Sequence, residues 1–130
     1  MRVKGFNHIT INISDLQRSL QFYQNVLGMD LVHRGRTDAY LEWGDAWVCL
    51  LENKNLLRSK KKKLGVDHFA FSIDEEDFFA AVHQLEHHHV NIVRGPVKRG
   101  KGWTINFLDP DGVEMELHTS DLQERMMVWE

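Results

Sequence analysis

The chain has 130 residues, of which 42% are hydrophobic and 27% charged, a balance that suits one compact soluble domain and excludes disorder as the main state. Sixteen Lys and Arg face 19 Asp and Glu, for a net charge of -3, so no basic field gathers nucleic acid, and no stretch approaches the ~20 apolar residues that cross a bilayer. The single cysteine, Cys49, cannot form an intramolecular disulfide, and the opening MRVKGFNHIT carries no leader pattern; a reducing cytoplasm is the expected compartment.

Residues 6–13, FNHITINI, alternate in the two-residue period of a strand, with His8, Thr10 and Asn12 on one face. Ser14 or Asp15 can cap a helix that runs to about residue 27 and stops at Gly28. Residues 30–34, 39–43 and 46–52 read as three short strands, the last two joined at a Gly44-Asp45 turn. This first module, about 5–53, is β-α-β-β-β. Residues 54–64, with lysines at 60 to 63, have no apolar period and read as a solvated linker.

The pattern then restarts. Residues 66–73, VDHFAFSI, predict a strand, and 75–88 predict a helix with Phe78, Phe79, Val82 and Leu85 on its apolar side. Strands follow at 90–93, 102–108 and 113–118, the last two separated by the turn Asp109-Pro110-Asp111-Gly112. The second module, about 65–119, is again β-α-β-β-β, and residues 120–128 predict a terminal helix. Laying FNHITINI over VDHFAFSI puts His8 on His68, the signature of an internal duplication. The expected fold class is α+β, two such modules forming a curved mixed sheet about a pseudo-twofold.

Equivalent strands give His8 and His68 equivalent places, and the two-residue period of 113–118 puts Glu114, Glu116 and His118 on one face. Two imidazoles and a carboxylate suit Mn, Fe, Co, Ni or Zn and leave coordination positions open for a substrate. The same spacing also fits polar residues satisfied at strand edges. The run Glu86 to His89 ends a helix, where cationic side chains suit the negative pole of the dipole, and reads as surface. Trp43 and Trp47 read as core or interface, and Cys49, with no base nearby in sequence, as a small buried thiol.

NHITINISDLQRSLQFYQNVLGM, VDHFAFSI and FLDPDGVEMELH, taken in order, resemble the vicinal oxygen chelate superfamily, which includes glyoxalase I, fosfomycin-resistance enzymes, extradiol dioxygenases and bleomycin-binding proteins. The resemblance covers nearly the whole chain. It implies a divalent metal held by His8, His68 and Glu116, a small-molecule substrate, and a homodimer in which His8 can come from one subunit and His68 with Glu116 from the other. Glyoxalase I enzymes carry a further metal-binding Glu on the strand that reads AWVCLL here, where this chain has Val48 and Cys49. Three protein ligands instead resemble the fosfomycin-resistance enzymes.

That resemblance implies a thiol co-substrate, Thr10 as the catalytic hydroxyl, and Tyr40, Trp47 and Cys49 lining the pocket. Arg94, Lys98, Thr104 and Arg125 are then expected to receive the substrate's phosphonate. Two departures stand out: Asn106 replaces a tyrosine before the Asp-Pro-Asp-Gly turn, and RGKGW at 99–103 is basic where glutathione-dependent members hold potassium with an acidic loop. A glyoxalase-like isomerase or lyase with Glu114 as proton shuttle, and a metal-free drug-sequestering protein, are the alternative expectations.

Overall fold

The computed structural model describes residues 1–57 and 64–127; the lysines at 60 to 63 and the last residue of the expected terminal helix lie outside them. The chain divides into two compact units, Met1–Leu57 and Arg58–Glu130. No helix among the described residues is long and apolar enough to cross a membrane.

In the first unit β1 (Ile9–Ile13) leads into α1 (Leu16–Leu20), whose N-cap Asp15 accepts from the Arg18 amide at 3.0 Å. The expected single helix to residue 27 changes pitch: Gln21–Val26 is π-helical, and the Leu27 amide bonds back to the Phe22 carbonyl. The wider turn brings neighbouring side chains closer together around the axis, and both Phe22 and Tyr23 are buried. β2 (Asp30–Arg34), β3 (Asp38–Trp43) and β4 (Ala46–Glu52) follow, the last two joined through Gly44 at φ +59. The sheet order is β1-β4-β3-β2, with β1 parallel to β4 and the other pairs antiparallel. Ile11, Ile13, Ala39, Leu41, Val48 and Leu50 are buried on one face of this sheet, together with Leu16, Leu20 and Tyr23 from the helix.

The second unit repeats the plan. β5 (Phe69–Ser72), α2 (Glu75–His87), β6 (Ile92–Arg99), β7 (Gly102–Leu108) and β8 (Glu114–His118) give the order β5-β8-β7-β6, again with one parallel pair, and α3 (Leu122–Met127) follows. Three acidic residues open α2 and suit the positive end of its dipole, and Phe78, Val82 and Leu85 form its buried stripe. His87 ends the helix and His89 takes φ +56, so the histidine run serves as the helix terminus. Ile105, Phe107, Met115 and Leu117 complete the core of this unit.

The fold class is as expected, with the ladders resolving into two four-stranded sheets. Boundaries shift at the outer strands. The segment expected as a strand from residue 6 pairs only from Ile9, leaving His8 just ahead of the ladder. The strand expected at 90–93 continues to Arg99 despite Gly95-Pro96, because β6 absorbs the interruption in two register shifts, one between Ile92 and Arg94 and one between Arg94 and Val97. In the turn before β8 the Asp109 carboxylate accepts the amides of Asp111 (2.9 Å) and Val113 (2.8 Å), and Gly112 takes φ +89.

Candidate active site

Each sheet buries one face and leaves the other polar, and register defines what lies on the polar side. In the second unit a row runs across all four strands: Ala70 opposite Glu116, Glu116 opposite Asn106, Asn106 opposite Arg94. In the first unit the corresponding row is Thr10, Cys49, Tyr40, His33. Even the irregularity is duplicated, since the outer strands β2 and β6 shift register at the corresponding step, Leu31 to His33 and Ile92 to Arg94.

The polar face of the second unit carries a connected cluster. His68 Nδ1 lies 2.7 Å from Asp67 Oδ2, and His68 Nε2 lies 3.3 Å from Glu116 Oε1. An ionised carboxylate can only accept, so Asp67 fixes a proton on Nδ1, and Nε2 is the nitrogen left to carry a lone pair toward a metal. That nitrogen and the buried Glu116 oxygen then face each other as two acceptors, which requires a proton or a metal ion between them. Donors bound to one transition ion at ~2.1 Å stand roughly 3.0–3.4 Å apart, so the spacing fits a shared metal. Glu114 and Asp67 also offer oxygens that lie, with a His68 nitrogen, within 4.8 Å of one another.

Behind this pair Asn106, 1% exposed, donates from Nδ2 to Glu114 Oε2 at 3.0 Å and accepts from Arg94 Nη2 at 3.5 Å. One neighbour needs a donor and the other an acceptor, which fixes the amide orientation. Arg94 Nη2 also reaches to 4.0 Å from Glu116 Oε1. Thr104 lies on the same face, fully buried, with no hydrogen-bond partner for its hydroxyl among the described residues. His118 shares the face but is committed locally: its Nδ1 accepts the Ser120 amide at 3.0 Å.

Lys98 does not join Arg94. A strict two-residue period would place residues 94 and 98 on one face, but the second register shift pairs Lys98 with Trp103, and Trp103 packs on Phe78 and Phe79 of α2. Lys98 therefore stands on the helix side of the sheet. Arg125 lies in α3, beyond the end of β8. A cavity of about 420 Å³ near α3 is ringed by Asp74, Asp77, Asp121 and Glu124, a lining that repels anions.

In the first unit His8 is held as His68 is. Its Nδ1 lies 2.6 Å from Asn7 Oδ1, so in each module the residue preceding the histidine offers the oxygen that orients the ring. His8 stacks on Trp47 at 4.1 Å and 20°, Trp47 meets Tyr40 edge-on at 5.8 Å, and Tyr40 meets His33 at 5.2 Å. Trp47 is thus part of an aromatic row that leads from His8 and is not core. Thr10 hydrogen-bonds the Cys49 thiol. Burial pushes that thiol above its ordinary range and the Asp38 charge adds to the effect, with the Thr10 bond opposing both. A thiol so held stays protonated at neutral pH, which suits a wall and not a nucleophile.

Asp67 and Asn7 were not legible as functional from spacing alone; the repeated acceptor-His dipeptide was the available signal. The relevance of this geometry is decided by relatedness. Residues 5–117 match the profile of the glyoxalase/bleomycin resistance protein/dioxygenase superfamily. The chain belongs to that superfamily. It is 43% identical over 129 residues to the metallothiol transferase FosB of Staphylococcus epidermidis, covering 97% of this chain and 89% of that protein. Against the glutathione transferase FosA of Serratia marcescens it is 37% identical over 124 residues, or 95% and 86% of the two chains. Among solved structures, the fosfomycin resistance protein FosX of Mesorhizobium loti superposes with a TM-score of 0.78 at 28% identity, over 96% of this chain and 99% of that one.

Proposed function

We propose that this protein is a divalent-metal-dependent transferase that adds a small thiol to the oxirane of fosfomycin, with His8, His68 and Glu116 as the metal ligands. The observation that carries the reading is the His68 Nε2 to Glu116 Oε1 approach of 3.3 Å with Nδ1 already committed to Asp67. The similarity to metallothiol and glutathione transferases supports the chemistry. Cys49, where a second carboxylate would complete a four-ligand set, favours a transferase over a glyoxalase-like isomerase.

A divalent ion at these ligands supplies Lewis acidity toward a substrate oxygen. This chain's own residues do the rest. Arg94, with Arg125, offers guanidinium forks matched to a phosphonate; Lys98 has no part in this. Thr10 presents a hydroxyl beside the site of the opening oxirane, and Tyr40 and Trp47 wall the pocket and exclude water. Thr104 contributes a hydroxyl that has no protein partner among the described residues to give up. A carbon–sulfur bond forms as the oxirane carbon–oxygen bond breaks, and the proton of the thiol ends on the released oxygen. The protein acts as a homodimer, and a second copy is the source of His8 for each site.

The test is elemental analysis of protein purified without chelator, then turnover of fosfomycin with glutathione, cysteine or bacillithiol in the presence of Mn, Fe, Ni, Co or Zn. Metal-dependent adduct formation is expected with one of the thiols. Absence of turnover with all three, together with turnover of a hemithioacetal, would overturn the reading in favour of an isomerase.

A further inference from the structure

Glu116 is a carboxylate 6% exposed, and a buried anion needs a countercharge. Among the described residues, the groups able to supply one within 4.0 Å are His68, at 3.3 Å, and Arg94. A metal ion bound at His68 Nε2 takes the place of any proton there, so His68 supplies no charge to a metal-loaded Glu116. Arg94 is the permanent cation. Its side chain is about half exposed (49%), its contact with Glu116 Oε1 is long at 4.0 Å, and its one described hydrogen bond, to Asn106 Oδ1, is long at 3.5 Å. The guanidinium is therefore near enough to Glu116 to matter and held loosely enough to leave it.

We propose that Arg94 is an exchangeable countercharge that couples metal loading to anion binding. Before metal arrives Arg94 stands as a permanent positive charge beside Glu116. Once a divalent ion takes the same carboxylate, two like-signed groups compete for one oxygen, and Arg94 is released toward the open side of the sheet, where it meets the anionic group of a substrate. The anion in turn neutralises Arg94 and removes its opposition to the metal. Coupling of this kind is reciprocal. Asn106 acts as the positioning residue: anchored by Glu114 through Nδ2, it presents Oδ1 as the point about which the guanidinium turns. The inference rests on the metal site proposed above.

Calorimetric titration of Mn²⁺ into the metal-free protein tests it without reference to turnover, with Arg94→Gln and Arg94→Lys beside the wild type and sulfate, a weak ligand of divalent ions, as the anion. Arg94→Gln is expected to bind Mn²⁺ roughly five- to fifty-fold more tightly than the wild type in the absence of anion. Arg94→Lys, which keeps the charge, should stay close to the wild type. Sulfate should tighten Mn²⁺ binding by the wild type and leave Arg94→Gln unchanged. If the wild type binds Mn²⁺ and Arg94→Gln binds it equally or more weakly, or if Gln and Lys variants tighten it alike, the exchange is wrong while the metal site stands. A wild type that binds no divalent ion removes both.

Discussion

Cys49 occupies in the first module the place that Glu116 holds in the second: Cys49 pairs with Thr10 on a parallel neighbour and Tyr40 on an antiparallel one, as Glu116 pairs with Ala70 and Asn106. One duplicated position has thus become a metal-ligand candidate in one half and a protonated thiol in the other. The thiol is held above its ordinary range chiefly by burial, so alkylation of Cys49 by iodoacetamide should be slow at pH 7 and accelerate well above pH 8.5, the region where a free thiol already reacts. Rapid labelling at pH 7 would contradict the assignment of Cys49 as pocket wall.

Asp67 orients His68 without being one of the three proposed ligands. Asp67→Ala is expected to weaken divalent-metal affinity by about 10–100-fold, the usual cost of losing the group behind a ligating histidine, with little change in the unfolding midpoint because Asp67 is exposed. Metal titration followed by urea denaturation of the apo form measures both.

Asn106 is buried between a donor and an acceptor. Asn106→Leu removes both hydrogen bonds and leaves the Glu114 carboxylate without its Nδ2 partner, so the variant should lose about 1–3 kcal/mol of stability. Chemical denaturation gives the value. Unchanged stability would mean that the Asn106 bonds contribute nothing net.

Arg125 and Lys98 separate by kinetics. Arg125→Ala should raise the KM for fosfomycin several-fold with metal affinity retained, whereas Lys98→Ala, on the α2 side of β6 opposite Trp103, should leave both quantities within about twofold, as surface changes do. Equal losses in the two variants would argue against the register-based exclusion of Lys98.

Asp109 tests the turn that delivers β8. Its carboxylate accepts two backbone amides, and Asp109→Ala should cost about 1–3 kcal/mol and lower metal affinity indirectly by loosening the strand that bears Glu116.

Much of this site was open to reading from the sequence because period and repetition are local properties. The strand at 102–108 and the helix from Glu75 were placed closely by the turn that follows the one and the apolar stripe of the other. His8 and His68 stood out because one octapeptide repeats the other. What escaped was set by pairing partners. The π-helical continuation of α1 at Gln21–Val26 answers to which side chains the sheet buries, and no propensity marks it. Lys98 was expected beside Arg94 from the family resemblance, and Gly95-Pro96 marks an interruption of the strand without saying on which side the register resolves it. Asp67 escaped for a different reason: an acid beside a histidine is common, and only the 2.7 Å contact distinguishes an orienting carboxylate from a solvated one.

The duplicated shift in β2 and β6 has an evolutionary reach. Were the β6 ladder regular from Ile92 opposite Phe107 onward, Arg94 would lie against Ile105 and point into the apolar layer; the displaced register sets it against Asn106 instead. Charge in this module is therefore addressed by counting residues along an edge strand. A change that straightens this step without removing the extra residue would turn the guanidinium to the other side without altering a single functional side chain. Changes of register in β6, which leave the parallel pair β5 and β8 at the other side of the sheet and its metal-ligand candidates untouched, give such a scaffold a means to change the anions it accepts while keeping its metal.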